Sequence, residues 1–178
     1  MRENELFALV RSILIADTRL AGVAVVRRYP DVNVGMPAGP AIYLQAITNR
    51  RYGFLGRREV LDPGGAAFTQ TATQQWETTI QVSAVARRTT PEDSLLTAGD
   101  YCAIASDALQ SDNGRAALAA GGARPLRITD LRTLFFVDDA NQYAASPSFD
   151  VVLCHVQTNQ SAVPAVSQIV PDVENAGS

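Results

Sequence analysis

The sequence predicts an α+β domain: a mainly antiparallel mixed sheet with a long projecting β-hairpin, flanked by two main helices and followed by an extended C-terminal arm. Three stretches carry that expectation. Over residues 76–86, Trp76, Thr78, Ile80, Val82, Ala84 and Ala86 fall on one parity, while Glu77, Thr79, Gln81 and Ser83 fall on the other. That is a strand with one apolar and one wet face. Over residues 3–16, Leu6, Leu9, Val10, Ile13 and Leu14 recur at helical spacing, with Glu3 and Glu5 in the first turn, where acids suit the helix dipole. Between two β-prone stretches stands Asp62-Pro63-Gly64-Gly65, a strong turn signal.

Taken in order, the helix over 3–16 is followed by an apolar strand at 23–29 and a loop at 31–40, where Gly35, Pro37, Gly39 and Pro40 exclude regular structure. Strands follow at 41–48 and 51–61, the second more polar, and the chain returns antiparallel over 67–87. The outer half of this hairpin, residues 57–73, is β-prone without an apolar face of its own. A free two-stranded ribbon is marginal in water, so this half calls for a neighbour. Thr90-Pro91-Glu92-Asp93 has the pattern of a capping box with proline at the first helical position, which predicts a helix over 91–110. Leu95, Cys102, Ala105 and Leu109 form its stripe, and Asp112-Asn113-Gly114 stops it. A short helical turn at 116–120 leads to strands at 131–137 and 148–157. Asp138-Asp139-Ala140-Asn141 makes the turn between them. Trp76, Ile80, Val82, Leu95, Ile104, Leu109, Phe136, Val151 and Leu153 are the expected core. Residues 1–158 form the domain. Residues 159–178, broken by Pro164 and Pro171, form the arm, because prolines at that spacing exclude a helix.

Composition narrows the functional classes. With 178 residues, 47% of them hydrophobic, and a net charge of −3, the chain can build one core and has no bulk attraction for polyanions. All 15 basic residues are arginine, a side chain suited to planar contacts across interfaces; codon usage in a GC-rich genome explains the lack of lysine as well. Cys102 and Cys154 have no metal or redox spacing and read as buried apolar thiols. His155 is the single histidine and makes neither a triad nor a metal centre by itself. No P-loop is available without a lysine. No apolar run reaches transmembrane length. No catalytic residue, metal ligand or cofactor is expected, and no membrane contact.

Short motifs in a fixed order add to this. They are Gln75-Trp76-Glu77 followed by Gln81-Val82-Ser83, Thr97-Ala98-Gly99-Asp100-Tyr101, and Arg124-Pro125-Leu126. Then come Asp130-Leu131-Arg132 before Leu134-Phe135-Phe136, and Gln142-Tyr143 before Ser148-Phe149-Asp150-Val151. Through these the chain resembles the neck or tail terminator family of tailed bacteriophages, from the first helix to Val156. The resemblance implies a ring, usually of six subunits, that caps the tail tube, stops its polymerisation and joins it to the head–tail connector. It implies a structural virion protein, assembled in the host cytoplasm, whose partners are its own copies, the tail-tube protein, the connector and, in a contractile tail, the sheath. Arg57, Arg58, Phe68 and Gln70 of the hairpin and Val163, Val166 and Ile169 of the arm are the expected subunit-interface residues, with the arginines on a neighbour or on DNA in the channel. Two alternatives stay open: another neck component or tail-tube subunit, and a small ligand-binding or enzymatic α+β domain built around His155, Asp138 and Asp139.

Overall fold

A computed structural model describes residues 1–28, 39–64, 67–86, 96–137 and 143–164. Three long strands dominate it. β1 (Ala24–Arg27) runs parallel to β2 (Ala41–Leu61), and β2 pairs antiparallel with β3 (Ala67–Val85). β3 pairs antiparallel with β6 (Tyr143–Pro164), and β4 (Ala123–Ile128) and β5 (Arg132–Val137) lie end to end along the far edge of β6. The sheet is therefore mixed and mainly antiparallel, as its alternating strands require.

Helices cover one face of the sheet. α1 (Glu3–Ala16) turns Leu6, Phe7, Val10, Ile13 and Leu14 inward, and the Arg2 N–H donates to the Glu5 carboxylate at 2.8 Å. α2 (Ala98–Gln110) is capped by Thr97. Its hydroxyl accepts from the Asp100 N–H at 3.2 Å, while the Asp100 carboxylate accepts from the Thr97 N–H at 2.7 Å. α3 (Asp112–Ala120) follows at once, capped by Ser111. Ile42, Leu44, Ile80, Val82, Phe149, Val151 and Leu153 meet these helices from the sheet, and all are buried.

Several expectations need correction. The strands placed at 41–48 and 51–61 are one strand, because a bulge takes up Gly53 and pairing resumes at Gly56↔Thr73. The described helix starts at Ala98, not at residue 91; the Thr90 and Asp93 cap lies outside the described residues, and the working capping box is Thr97 with Asp100. Gly114 does not end a helix. It sits in the first turn of α3, where a Cβ would come 2.1 Å from the Ala108 carbonyl oxygen, so the close crossing of α2 and α3 demands glycine. β4 was not foreseen as a separate strand, since Pro125 and two arginines hide its pattern; the proline sits at a bulge on the sheet's edge, where it is tolerated. Residues 159–164, expected to begin the arm, instead continue β6 and pair with β3 from Asn159↔Ala72 to Pro164↔Ala67.

Within the expected core, Ile80, Val82, Leu109, Val151 and Leu153 are fully buried. Ile104 is half-buried against the core, and Trp76 is half-buried where the sheet leaves it. Leu95 and the Phe136 side chain lie outside what is described. Cys102 is buried, its thiol donating to the Pro147 carbonyl at 3.2 Å, and burial pushes its pKa up to about 12. It is an inert packing thiol. Cys154 is half-buried.

A Gly114→Ala substitution tests the helix crossing. Alanine gains roughly 1 kcal/mol in helix propensity, but overpacking against backbone costs about 1–3 kcal/mol. The variant is expected to melt below the wild type; a higher midpoint would show that α2 and α3 can move apart freely.

Candidate assembly interface

β2, β3 and β6 continue past the helices as a three-stranded ribbon. Its root is the Asn49, Thr78 and His155 level and its tip the Leu61, Phe68 and Val163 level, roughly 35 Å along the strands. The third strand is what the sequence did not show. It completes the backbone pairing of β3, which an isolated hairpin would leave open. Both outer edges stay open among the described residues: β2 beyond Leu44, where β1 ends, and β6 beyond His155, where β4 ends.

A polar chain crosses the root. Thr78 donates to Asn49 Oδ1 at 3.0 Å and lies 3.0 Å from His155 Nε2. A hydroxyl has one proton, so His155 Nε2 must donate to Thr78, which leaves Nδ1 bare. Nδ1 is buried and has no partner among the described residues, as is also true of Nε1 of Trp76, opposite it in register. The Met1 ammonium sits next to this level on the Val156 carbonyl. Burial, and then the nearby N-terminal charge, lower the His155 pKa. A proton on Nδ1 would create a buried donor without an acceptor.

Above the root, β2 bulges. Three residues, Gly53, Phe54 and Leu55, stand opposite the single residue Gln74. Gly53 adopts φ +71°, which favours glycine. The Gln74 amide donates to the Tyr52 carbonyl at 2.9 Å and the Gln75 carbonyl at 3.1 Å. The bulge throws Phe54 fully into solvent, at 101% exposure. At the tip, the Asp62 N–H donates to the Ala67 carbonyl at 3.0 Å, and Thr69 donates to the Asp62 carboxylate at 2.8 Å. These bonds close the turn.

Directly opposed residues share a face of the sheet, so the register divides the ribbon in two. One face continues the core side. It carries Arg51, Trp76 and His155 at the root, then Arg57, Ala72 and Asn159, then Glu59, Gln70 and Ser161, and at the tip Leu61, Phe68 and Val163. The Arg51 guanidinium lies 5.5 Å over the Trp76 ring, beside a groove of about 310 Å³ that Leu55, Ala72 and Gln74 also line. Gln70 donates to Glu59 at 2.7 Å. The tip is an apolar cluster in water: Leu61 is 52% and Val163 40% exposed. The other face carries Thr69, Thr71, Thr73 and Gln75 on β3, with Arg58 and Gln160 beside Thr71.

Of the expected interface residues, Arg57, Phe68, Gln70 and Val163 therefore share one face, and Arg58 points to the other. Val166 and Ile169 lie outside the described residues, as do Asp138 and Asp139 of the alternative histidine cluster. Among the described residues no group of three metal-ligating side chains forms, and no helix is long and apolar enough to cross a membrane. Sequence reasoning missed Leu61, Tyr52, Phe54 and Leu55. Only the side-chain parity of β2 could have pointed to them, and the one-residue register shift between Ala46 and Thr48 flips it.

The family model described as E217 gateway protein gp29 matches residues 5–165. No curated protein matches the sequence. Among solved structures, the sheath/tube terminator of the PVC extracellular contractile injection system, in its extended state, shares the fold. Its TM-score is 0.53 at 12% identity, covering 100% of this chain and 65% of that one. The chain thus spans less than two thirds of that neighbour's length, and at such identity the likeness is one of fold.

Two measurements probe the root. Thr78→Val leaves Asn49 and His155 without their shared partner and is expected to cost about 1–3 kcal/mol, read as a lower urea midpoint. Because folding depresses the His155 pKa, the unfolded chain binds the extra proton as pH falls through about 6.5, and stability drops with it. His155→Leu is expected to flatten the pH dependence of the midpoint between about pH 7 and about pH 5. An unchanged slope would place the titration elsewhere.

Proposed function

The chain belongs to the family of the E217 gateway protein gp29, and from that footing we propose that it is the tail terminator of a tailed bacteriophage. In this reading six copies close into a ring on the finished tail tube, stop its growth and offer the opposite surface to the head–tail connector. The sheath joins the partners where the tail is contractile. The role is structural, not catalytic, and the place of work is the neck of the virion.

The observation that supports it most is the ribbon itself: three strands reaching far from the core, with an apolar tip and two unlike open edges. Exposed apolar clusters mark protein contacts, and open edges invite pairing. Because the surfaces differ, contact between copies is head-to-tail, and a head-to-tail contact that closes makes a ring. The two faces take different duties. The face with Arg57, Phe68, Gln70 and Val163 packs on the neighbour. The threonine- and glutamine-rich face with Arg58 lines a wet channel, where DNA passes without base-specific contact.

The test removes the ribbon: residues 56–73 are replaced by a two-residue turn and the chain is ended at 157. The shortened protein is expected to fold, to run as a monomer by light scattering, and to leave tail tubes uncapped in electron micrographs. Rings from the shortened protein would exclude the ribbon as the assembly element, and tubes in place of rings from the full chain would favour a tube subunit.

A further inference from the structure

The sheet has another open edge at its far side. β4 pairs only with β6 among the described residues. Beside it, α2, α3 and β4 enclose a groove of about 190 Å³ whose walls include Leu109, Arg115, Leu126 and Arg127. Leu126 is 57% exposed. Arg115, Arg124 and Arg127 form no ion pair among the described residues. Pro125 and the bulge beside it interrupt this edge, so it is poorly suited to a full added strand. It suits side chains: one apolar, with carboxylates next to it.

The sequence holds a segment of that chemistry. Residues 165–178 contain Val166, Ile169, Val170 and Val173, the acids Asp172 and Glu174, and no basic residue. The segment's starting point decides whose groove it can fill. Pro164 is paired with Ala67 at the ribbon tip, whereas Arg127 stands opposite Val152. Back along β6 that separation is about 40 Å. Asp172, fully stretched, returns only about 29 Å from Pro164. Glu174 gets within range of Arg124 only on a taut chain, which still leaves Val173, at most about 32 Å from Pro164, short of Leu126 near the Val152 level. The groove's occupant therefore comes from another copy, whose ribbon tip a ring can bring alongside.

We propose that residues 166–174 of one subunit dock in the β4 groove of the next, with Val173 against Leu126 and with Asp172 and Glu174 on Arg115 and Arg127. This rests on the ring reading and supplies that ring with a second, charge-directed contact.

The test uses the full-length protein with Cys154→Ser, Leu126→Cys and Val173→Cys, treated with a short bis-maleimide. A denaturing gel is expected to show a ladder of covalent multimers up to the full ring. Arg115→Glu with Arg127→Glu should abolish most of that ladder, and adding Asp172→Arg with Glu174→Arg should restore it. An intramolecular link alone, or no link while micrographs still show rings, overturns the docking and leaves the ring reading standing. Monomers without rings from the otherwise wild-type chain overturn both.

Discussion

The pairing of β3 with β6 carries the molecule. It runs without a break from Ser83↔Ser148, inside the core, to Ala67↔Pro164 at the ribbon tip. At one end, Ile80, Val82, Phe149 and Val151 bury their side chains beneath the helices and fix the register. A slip of one residue would turn all of them to solvent. That register is then exported along the strands to a place where no core exists to specify it. The order of the ribbon is borrowed from the body, and the Asn49, Thr78 and His155 chain marks where the loan begins. There the apolar face gives way to a hydrogen-bonded polar crossing that aligns all three strands.

This explains how much the residues disclosed. The body was legible because alternation and helical spacing follow directly from burial, as at Thr78 to Ala84 and at Leu6 to Leu14. The hairpin was legible from Asp62-Pro63-Gly64. The third strand was not. Gln157, Asn159, Gln160 and Ser161 have no apolar parity to announce a strand, and two prolines close by suggested an arm. What makes them a strand is their covalent continuity with a buried one, a property of the pairing and not of the local sequence. Thr97 was passed over as a cap for a different reason: two capping patterns stand seven residues apart, and propensity alone does not rank them. The interface residues fared in the same way. Composition placed Arg57, Arg58, Phe68 and Gln70 on the hairpin but Val163 on an arm, and the division between faces depends on the one-residue shift between Ala46 and Thr48.

That division bears on the arginines. Arg57 and Arg58 are adjacent and chemically identical, yet strand geometry sends them to opposite sides. Arg57 joins Ala72 and Asn159 below the apolar tip, a setting for a planar, directional contact with protein. Arg58 stands among threonine and glutamine, a hydrated setting in which a cation meets phosphate weakly and exchangeably. A channel lining benefits from weakness of that kind, because a DNA that must leave cannot be held tightly. The alternatives that sequence left open for the arginine pair thus become, in the proposed ring, one role for each.

A terminator also has to be specific by refusal: it must accept the end of a tube and yet offer nothing that continues the tube. Open strand edges work against this, since any edge can template another strand. The chain holds two kinds of edge. On the ribbon they are long, unbroken along β6 and bulged at Gly53 along β2, suited to unlike neighbours meeting around a ring. On β4 the edge is short, broken by Pro125 and a bulge, and set with arginines, which discourages indiscriminate pairing and admits only a segment carrying carboxylates at the right spacing. Contacts of the first kind supply area and contacts of the second supply selection. A ring built from both satisfies its own edges as it closes, and a surface whose edges are already satisfied has nothing left with which to extend the tube.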